Sequence, residues 1–209
     1  MRYFLLPLLF TLLLKADTDS VDTSNFDFSW IMPIEFSYIN TKDDGTLYHI
    51  GAGVGASLGY NLFEIQTSVM FIPGTKSNTL FNWNDKSYSI GDTIKYGGAL
   101  LYKLNNNWQI GVEYSKYEFL TNKGEISNGG TTYGKASSSS LMFLYDPLGD
   151  INIEKNGALL IVGSLGYFNA PDVTYEEKIK HYYYGETQHI KEKYDLSGSI
   201  FTLGLMKRF

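Results

Sequence analysis

Between Tyr48 and Tyr60 the chain alternates with almost no exceptions. Tyr48, Ile50, Ala52, Val54, Ala56, Leu58 and Tyr60 form one row, and His49, Gly51, Gly53, Gly55, Ser57 and Gly59 form the other. Side chains of a strand point to opposite faces with period two, so the segment has one apolar face and one small or polar face. A tyrosine closes the apolar row at each end. A transmembrane strand needs about 9–11 residues, with aromatic girdles where hydrocarbon meets water. The pattern therefore predicts a strand whose apolar row faces lipid.

The same reading lays out eight spans. The first runs near Phe28 to Tyr38, with Trp30, Met32, Ile34, Phe36 and Tyr38 outward; the second is Leu47 to Tyr60. The third, Phe63 to Phe71, carries Ile65, Thr67 and Val69 on the outer row, and the fourth, Thr93 to Leu104, carries Ile94, Tyr96, Gly98, Leu100 and Tyr102. The fifth starts at Trp108 and turns Ile110, Val112 and Tyr114 outward. The sixth, Ala136 to Tyr145, opens on serines and shows its apolar row only at Leu141, Phe143 and Tyr145. The seventh, Ala158 to Phe168, is apolar on both faces, and the eighth is Asp195 to Phe209. Short polar turns fall at Asn61 and at Asn105–Asn107. Long connections fall at Ile72 to Asp92, Glu118 to Lys135 and Asn169 to Tyr194, with a shorter charged one at Ile39 to Thr46. Such alternation of short and long connections suits a membrane barrel. Asp146 to Gly157 breaks the rule, and its Asn156–Gly157 is a hairpin signal, so ten strands is the alternative count.

Composition agrees with this layout. Seventeen tyrosines, 13 phenylalanines and 21 glycines favour strands and turns. The slightly negative mean hydropathy excludes a helical membrane protein but not a barrel with polar loops. Arg2 followed by the apolar run Tyr3 to Leu14 predicts a signal peptide over residues 1–16, leaving 17–209 as the barrel. Its removal takes away Arg2 and Lys15, so the mature charge is 15 − 22 = −7. Net acidity without a basic cluster argues against nucleic acid. The absence of cysteine excludes a lipoprotein, a disulfide and a cysteine metal site.

Phe201, Leu203, Leu205 and Phe209 alternate with Thr202, Gly204, Met206 and Arg208 up to the last residue. This end resembles the C-terminal signal of bacterial outer-membrane barrels, in which alternating hydrophobics and a terminal Phe are read by the barrel assembly machinery. Lys207 departs from that pattern, although its stem is long enough to snorkel to the interface. With nothing after Phe209, the chain resembles the small OmpX- or Opa-like barrels, or an OmpA-type barrel without its periplasmic domain. The resemblance implies an all-β, membrane-spanning, antiparallel up-and-down barrel of eight strands. It also implies Sec-type export to the outer membrane, lipid and lipopolysaccharide as neighbours, and a host or cell-surface ligand as a candidate partner. The role expected of such a chain is surface interaction or envelope integrity, with a narrow channel as the alternative.

Candidate chemistry is sparse. Glu35, Glu64 and Glu113 share the inward row with Lys95, Lys103 and Arg208. Charges in so narrow a lumen must pair or reach water, so they predict either a structural network or a small gated ion path. Glu64 and Lys103 are the expected pair. Folding the last long connection as a hairpin on Gly185 sets Glu177 against Lys193, Lys178 against Glu192 and His181 against His189. A capping box at Thr174 and Glu177 offers a short helix from Thr174 to Tyr184 instead. Tyr182, Tyr183 and Tyr184 add contact area suited to a binding surface, or to a loop stiffened by its own aromatics. No cofactor is expected, and no metal site, since two histidines fall short of zinc's usual three or four ligands. A lipid A acyl hydrolase would need Ser and His together on an outer face. His49 instead lies on the glycine row, eight residues from Ser57, and no enzyme is expected.

Overall fold

A computed structural model describes residues 26–41, 46–73, 75–76, 89–90, 92–119, 131–147, 157–180 and 187–209. The expected leader, residues 1–16, lies outside the described residues. Among the described residues twelve strands are formed: β1 Phe26–Thr41, β2 Thr46–Tyr60, β3 Phe63–Ile72, β4 Thr75–Lys76, β5 Ser89–Ile90 and β6 Thr93–Lys103, then β7 Trp108–Phe119, β8 Thr131–Tyr145, β9 Leu159–Asn169, β10 Val173–Lys180, β11 Thr187–Tyr194 and β12 Gly198–Arg208. Eight of them pair antiparallel in the cyclic order β1-β2-β3-β6-β7-β8-β9-β12, and β12 returns to β1. The barrel closes with eight strands, and the alternative of ten is not taken up.

Registers fix its shape. Stepping across from Phe28 leads through Leu58, Ile65, Leu100, Val112, Leu141, Leu165 and Phe201 to Tyr38. One circuit therefore climbs 38 − 28 = 10 residues along β1. With strands about 4.8 Å apart and about 3.3 Å per residue, that stagger tilts them by about 40°. An eight-strand barrel of this tilt has room inside for side chains only. The inward glycines of β2 serve that constraint: a Cβ on Gly51 would lie 2.7 Å from Ile72 Cγ1, and one on Gly53 would lie 2.5 Å from Met70 Cγ.

Turn chemistry closes the short ends. Asn61 takes φ 55°, the left-handed region that asparagine tolerates, and so lets Tyr60 pair with Phe63. Asn105 Oδ1 accepts from Asn107 N and Trp108 N, each at 2.9 Å, which satisfies two turn amides with one side chain. At the seam, Arg208 N donates to Ala158 O and Phe209 N to Trp30 O.

Three strands extend past their expected ends. β1 starts at Phe26 and runs to Thr41; β7 runs to Phe119 and β8 starts at Thr131, inside the expected long connection. In these extensions the pattern inverts. Tyr117, Phe119 and Ala136 point inward and are buried, while Lys116 and Lys135 face out. A barrel wall leaving lipid for water must hide apolar side chains inside, as a soluble strand does. The expected eighth span is shorter: β12 begins at Gly198, and Asp195–Ser197 form a corner. There Leu196 N donates to Ala170 O, and Ser197 Oγ accepts from Ala170 N.

Beyond the barrel a second sheet forms. The first residues of β8 leave β9 and pair with β10 at Thr131↔Glu176 and Tyr133↔Thr174, while β5 runs parallel to β8. β10 pairs in turn with β11. The short helix from Thr174 to Tyr184 is not formed, because Thr174 to Lys180 is strand. The ladder with β11 pairs all of it, and β8 adds a second ladder along Thr174 to Glu176, which an isolated short helix cannot match.

Candidate functional site

The inward row places Lys95 of β6 between two acids, one across the lumen on β1 and one on the neighbouring β7. Its Nζ lies 2.6 Å from Glu35 Oε2 on β1 and 2.9 Å from Glu113 Oε1 on β7, and its side chain is 3 % exposed. Ser115 Oγ donates to the same Glu113 oxygen. Towards the short turns a second group forms: Arg208 of β12 reaches Glu64 of β3 at 2.5 Å, and Gln66 Nε2 donates to Glu64 at 2.7 Å. Lys103 sits at the same end as Glu64, half-buried. Adjacent-strand reasoning does not reach the Arg208 pairing, because it crosses the lumen from the last strand.

Apolar side chains fill the lumen on both sides of the Lys95 triad. Towards the short turns, Ile31, Leu101, Leu144, Leu160, Val162 and Met206 form one buried cluster. Towards the long connections, Ile39, Leu47, Tyr117, Phe168 and Ile200 form another, joined by Ala170, Val173 and Leu196 from the corner. Cavities inside are of water size: about 20 Å³ beside Glu35 and Glu113, and about 40 Å³ beside Lys103 and Arg208. This arrangement braces the barrel; it offers no open path for a hydrated ion among the described residues. Sequence reading missed the two clusters because it scored only the outward rows for apolar character. Their signal was present in β9, whose two apolar faces are Leu159, Ile161 and Leu165 outside and Leu160, Val162 and Phe168 inside.

His49 is the odd group. It is 2 % exposed, stands opposite Ser37, and neither ring nitrogen has a hydrogen-bond partner among the described residues. Ser37 Oγ is paired with Thr202 Oγ1 instead, at 3.1 Å. No group of three or more His, Cys, Asp or Glu side chains gathers among the described residues.

At the other candidate surface the hairpin forms, but in a different register. Its pairs sum to 367: Glu176 faces Lys191, Glu177 faces Ile190, Lys178 faces His189, Tyr175 faces Glu192 and Thr174 faces Lys193. The expected pairs of Glu177 with Lys193 and of Lys178 with Glu192 are not made. Val173, fully buried in the upper cluster and opposite Tyr194, sets the register at the base. Burying a valine stabilises by about 1.5–3 kcal/mol, whereas an exposed cross-strand ion pair contributes about 0.2–1 kcal/mol. Lys193 lies 3.5 Å from Asp172, both exposed. His181, Tyr182, Tyr183 and Tyr184 lie outside the described residues.

Outside, the barrel is apolar. Trp30, Ile34, Val54, Ile65, Leu165 and Leu203 are among its exposed side chains. Aromatics ring it at both ends: Phe26 stacks on Tyr60 and Trp108 meets Tyr145 at a tilt near the short turns, and Tyr38 meets Tyr48 edge-on near the long connections. Phe201, Leu203, Leu205 and Phe209 all face outward, and Lys207 Nζ lies over the Phe209 ring at 5.7 Å. Such a surface suits hydrocarbon rather than water.

No protein-family model matches the chain, and no curated protein matches it. Among solved structures, one that resembles it is the crystal structure of Ail, the attachment invasion locus protein of Yersinia pestis, in complex with the heparin analogue sucrose octasulfate. It is 14 % identical, covers 89 % of this chain and 100 % of that chain, and superposes with a TM-score of 0.40. By its own strand order this chain is a closed, eight-stranded, antiparallel up-and-down β-barrel, the architecture that its alternating rows and terminal Phe implied.

Proposed function

We propose that the chain is an exported bacterial outer-membrane barrel without catalytic machinery, and that its rigid span carries a surface for interaction outside the membrane. The observation that supports this reading is the continuation of β7 and β8 past the apolar belt into the sheet completed by β10 and β11. A barrel serving only to fill the membrane has no use for strands that project beyond it. The filled lumen counts against the channel alternative. On this reading the loops and the β10–β11 hairpin meet a host or cell-surface ligand, and residues 1–16 direct export. The test replaces Thr174 to Lys193 by a short turn, which keeps Val173 and Leu196 at the barrel mouth. The variant is expected to reach the outer membrane and keep a heat-dependent gel mobility, while cells carrying it lose attachment to host cells. Attachment equal to that of the intact chain would overturn the surface role.

A further inference from the structure

Outward residues of five successive strands form one slanting row across β3, β6, β7, β8 and β9: Thr67, Gly98, Tyr114, Ser139 and Tyr167. Thr67, Gly98 and Ser139 are short, so the wall is low there, and Tyr114 and Tyr167 stand up between and beside them. The neighbouring row on the short-turn side is aliphatic, with Leu100, Val112 and Leu141. Together the two rows shape a shallow apolar depression of about 800 Å³ on the barrel's outside. The row on the other side is polar: Tyr96, Lys116 and Ser137 stand side by side at the edge of the belt, towards the long connections. Lys116 is exposed and forms no ion pair among the described residues, whereas Glu118, next on the same face, is already matched by Lys135 at 3.9 Å.

Apolar hollow, aromatic flanks and a cation without an ion pair among the described residues follow one another from belt to rim in the order of an anionic lipid's own parts. We propose that this face is a docking site for one lipid A molecule, its acyl chains in the depression and one phosphate on Lys116. The hydroxyls of Tyr96 and Ser137 beside Lys116 suit a phosphorylated sugar better than a bare phosphodiester, and the five-strand width suits several chains rather than one. The occupant rests on the outer-membrane reading above, in which the leaflet at the long connections is the one that carries lipid A.

The test uses the full mature chain refolded in neutral detergent, with native mass spectrometry after addition of bisphosphorylated lipid A or of phosphatidylglycerol. One lipid A is expected to remain bound, with retention about tenfold lower for Lys116→Gln and for Ser139→Phe, which fills the floor. Ile34→Phe, outward on β1 and away from the depression, is expected to retain it as the parent does. Heat-dependent gel mobility of each variant checks that the barrel is folded. Equal retention by all three variants, or equal retention of phosphatidylglycerol, would mean only generic lipid contact and overturn the proposal. Cell fractionation separates the two readings. Outer-membrane localisation without lipid A retention sinks the docking site alone, whereas localisation elsewhere sinks the outer-membrane reading and lipid A as the occupant with it.

Discussion

Lys95 compensates a buried carboxylate, Glu35, and a half-buried one, Glu113, so its removal differs from the loss of an ordinary surface pair. In Lys95→Met, Glu35 remains buried without its counterion, and breaking a buried pair in this way costs about 3–5 kcal/mol. Urea unfolding of the refolded barrel is expected to show that loss as a lower midpoint. Adding Glu35→Gln and Glu113→Gln to the same chain is expected to recover most of it, because the uncompensated charges are then gone. A midpoint unchanged by Lys95→Met would mean that water reaches the carboxylates. His49 makes the opposite case. An unpartnered buried polar group costs about 1–3 kcal/mol, and exchange for an apolar one of similar size is neutral or stabilising. His49→Leu is therefore expected to leave the midpoint unchanged or to raise it. A fall of more than about 2 kcal/mol would show that the ring holds a partner in the folded barrel.

At the scale of the element, the β10–β11 hairpin tests which force sets a register. Charge matching favours Glu177 opposite Lys193, yet the buried Val173 at the hairpin base outweighs it. The chain has no cysteine, so pairs can be introduced without background. Glu176→Cys with Lys191→Cys, directly opposite, is expected to cross-link on mild oxidation, whereas Glu177→Cys with Lys193→Cys is expected to stay reduced. The reverse result would restore the charge-matched register. The spans themselves were legible: the outward rows of β1, β2, β3, β6 and β7 follow directly from alternation, because lipid demands an apolar row of set length. What alternation did not reveal was where each strand stops. The inverted rows at Tyr117 and Phe119 read as loop to an eye seeking apolar residues on the outside. Nor did it reach Arg208 with Glu64 or the hairpin base, since both depend on contacts between segments far apart in the chain.

For the whole molecule, closure is the property from which the rest follows. Every barrel strand has a neighbour on both sides, so no edge is left to pay the cost of unpaired backbone in hydrocarbon. Apolar clusters above and below the Lys95 triad then seal a lumen that the tilt already makes narrow. Two behaviours are expected together. The mature chain refolded in detergent migrates as a compact band without boiling and shifts when boiled, because opening the barrel requires most of its ladders to break at once. In planar bilayers the same preparation gives no stable conductance steps, since the path is blocked by side chains on both sides of the triad rather than by one movable pair. Neutralising Glu64 or Lys103 is expected to leave it silent. Stable steps from the folded band that changed with either substitution would mean that the clusters part in the membrane, and the channel reading would replace the structural one. Absence of the heat shift, with a chain folded and soluble without detergent, would place the tyrosine rows in a core and remove the membrane from the account altogether.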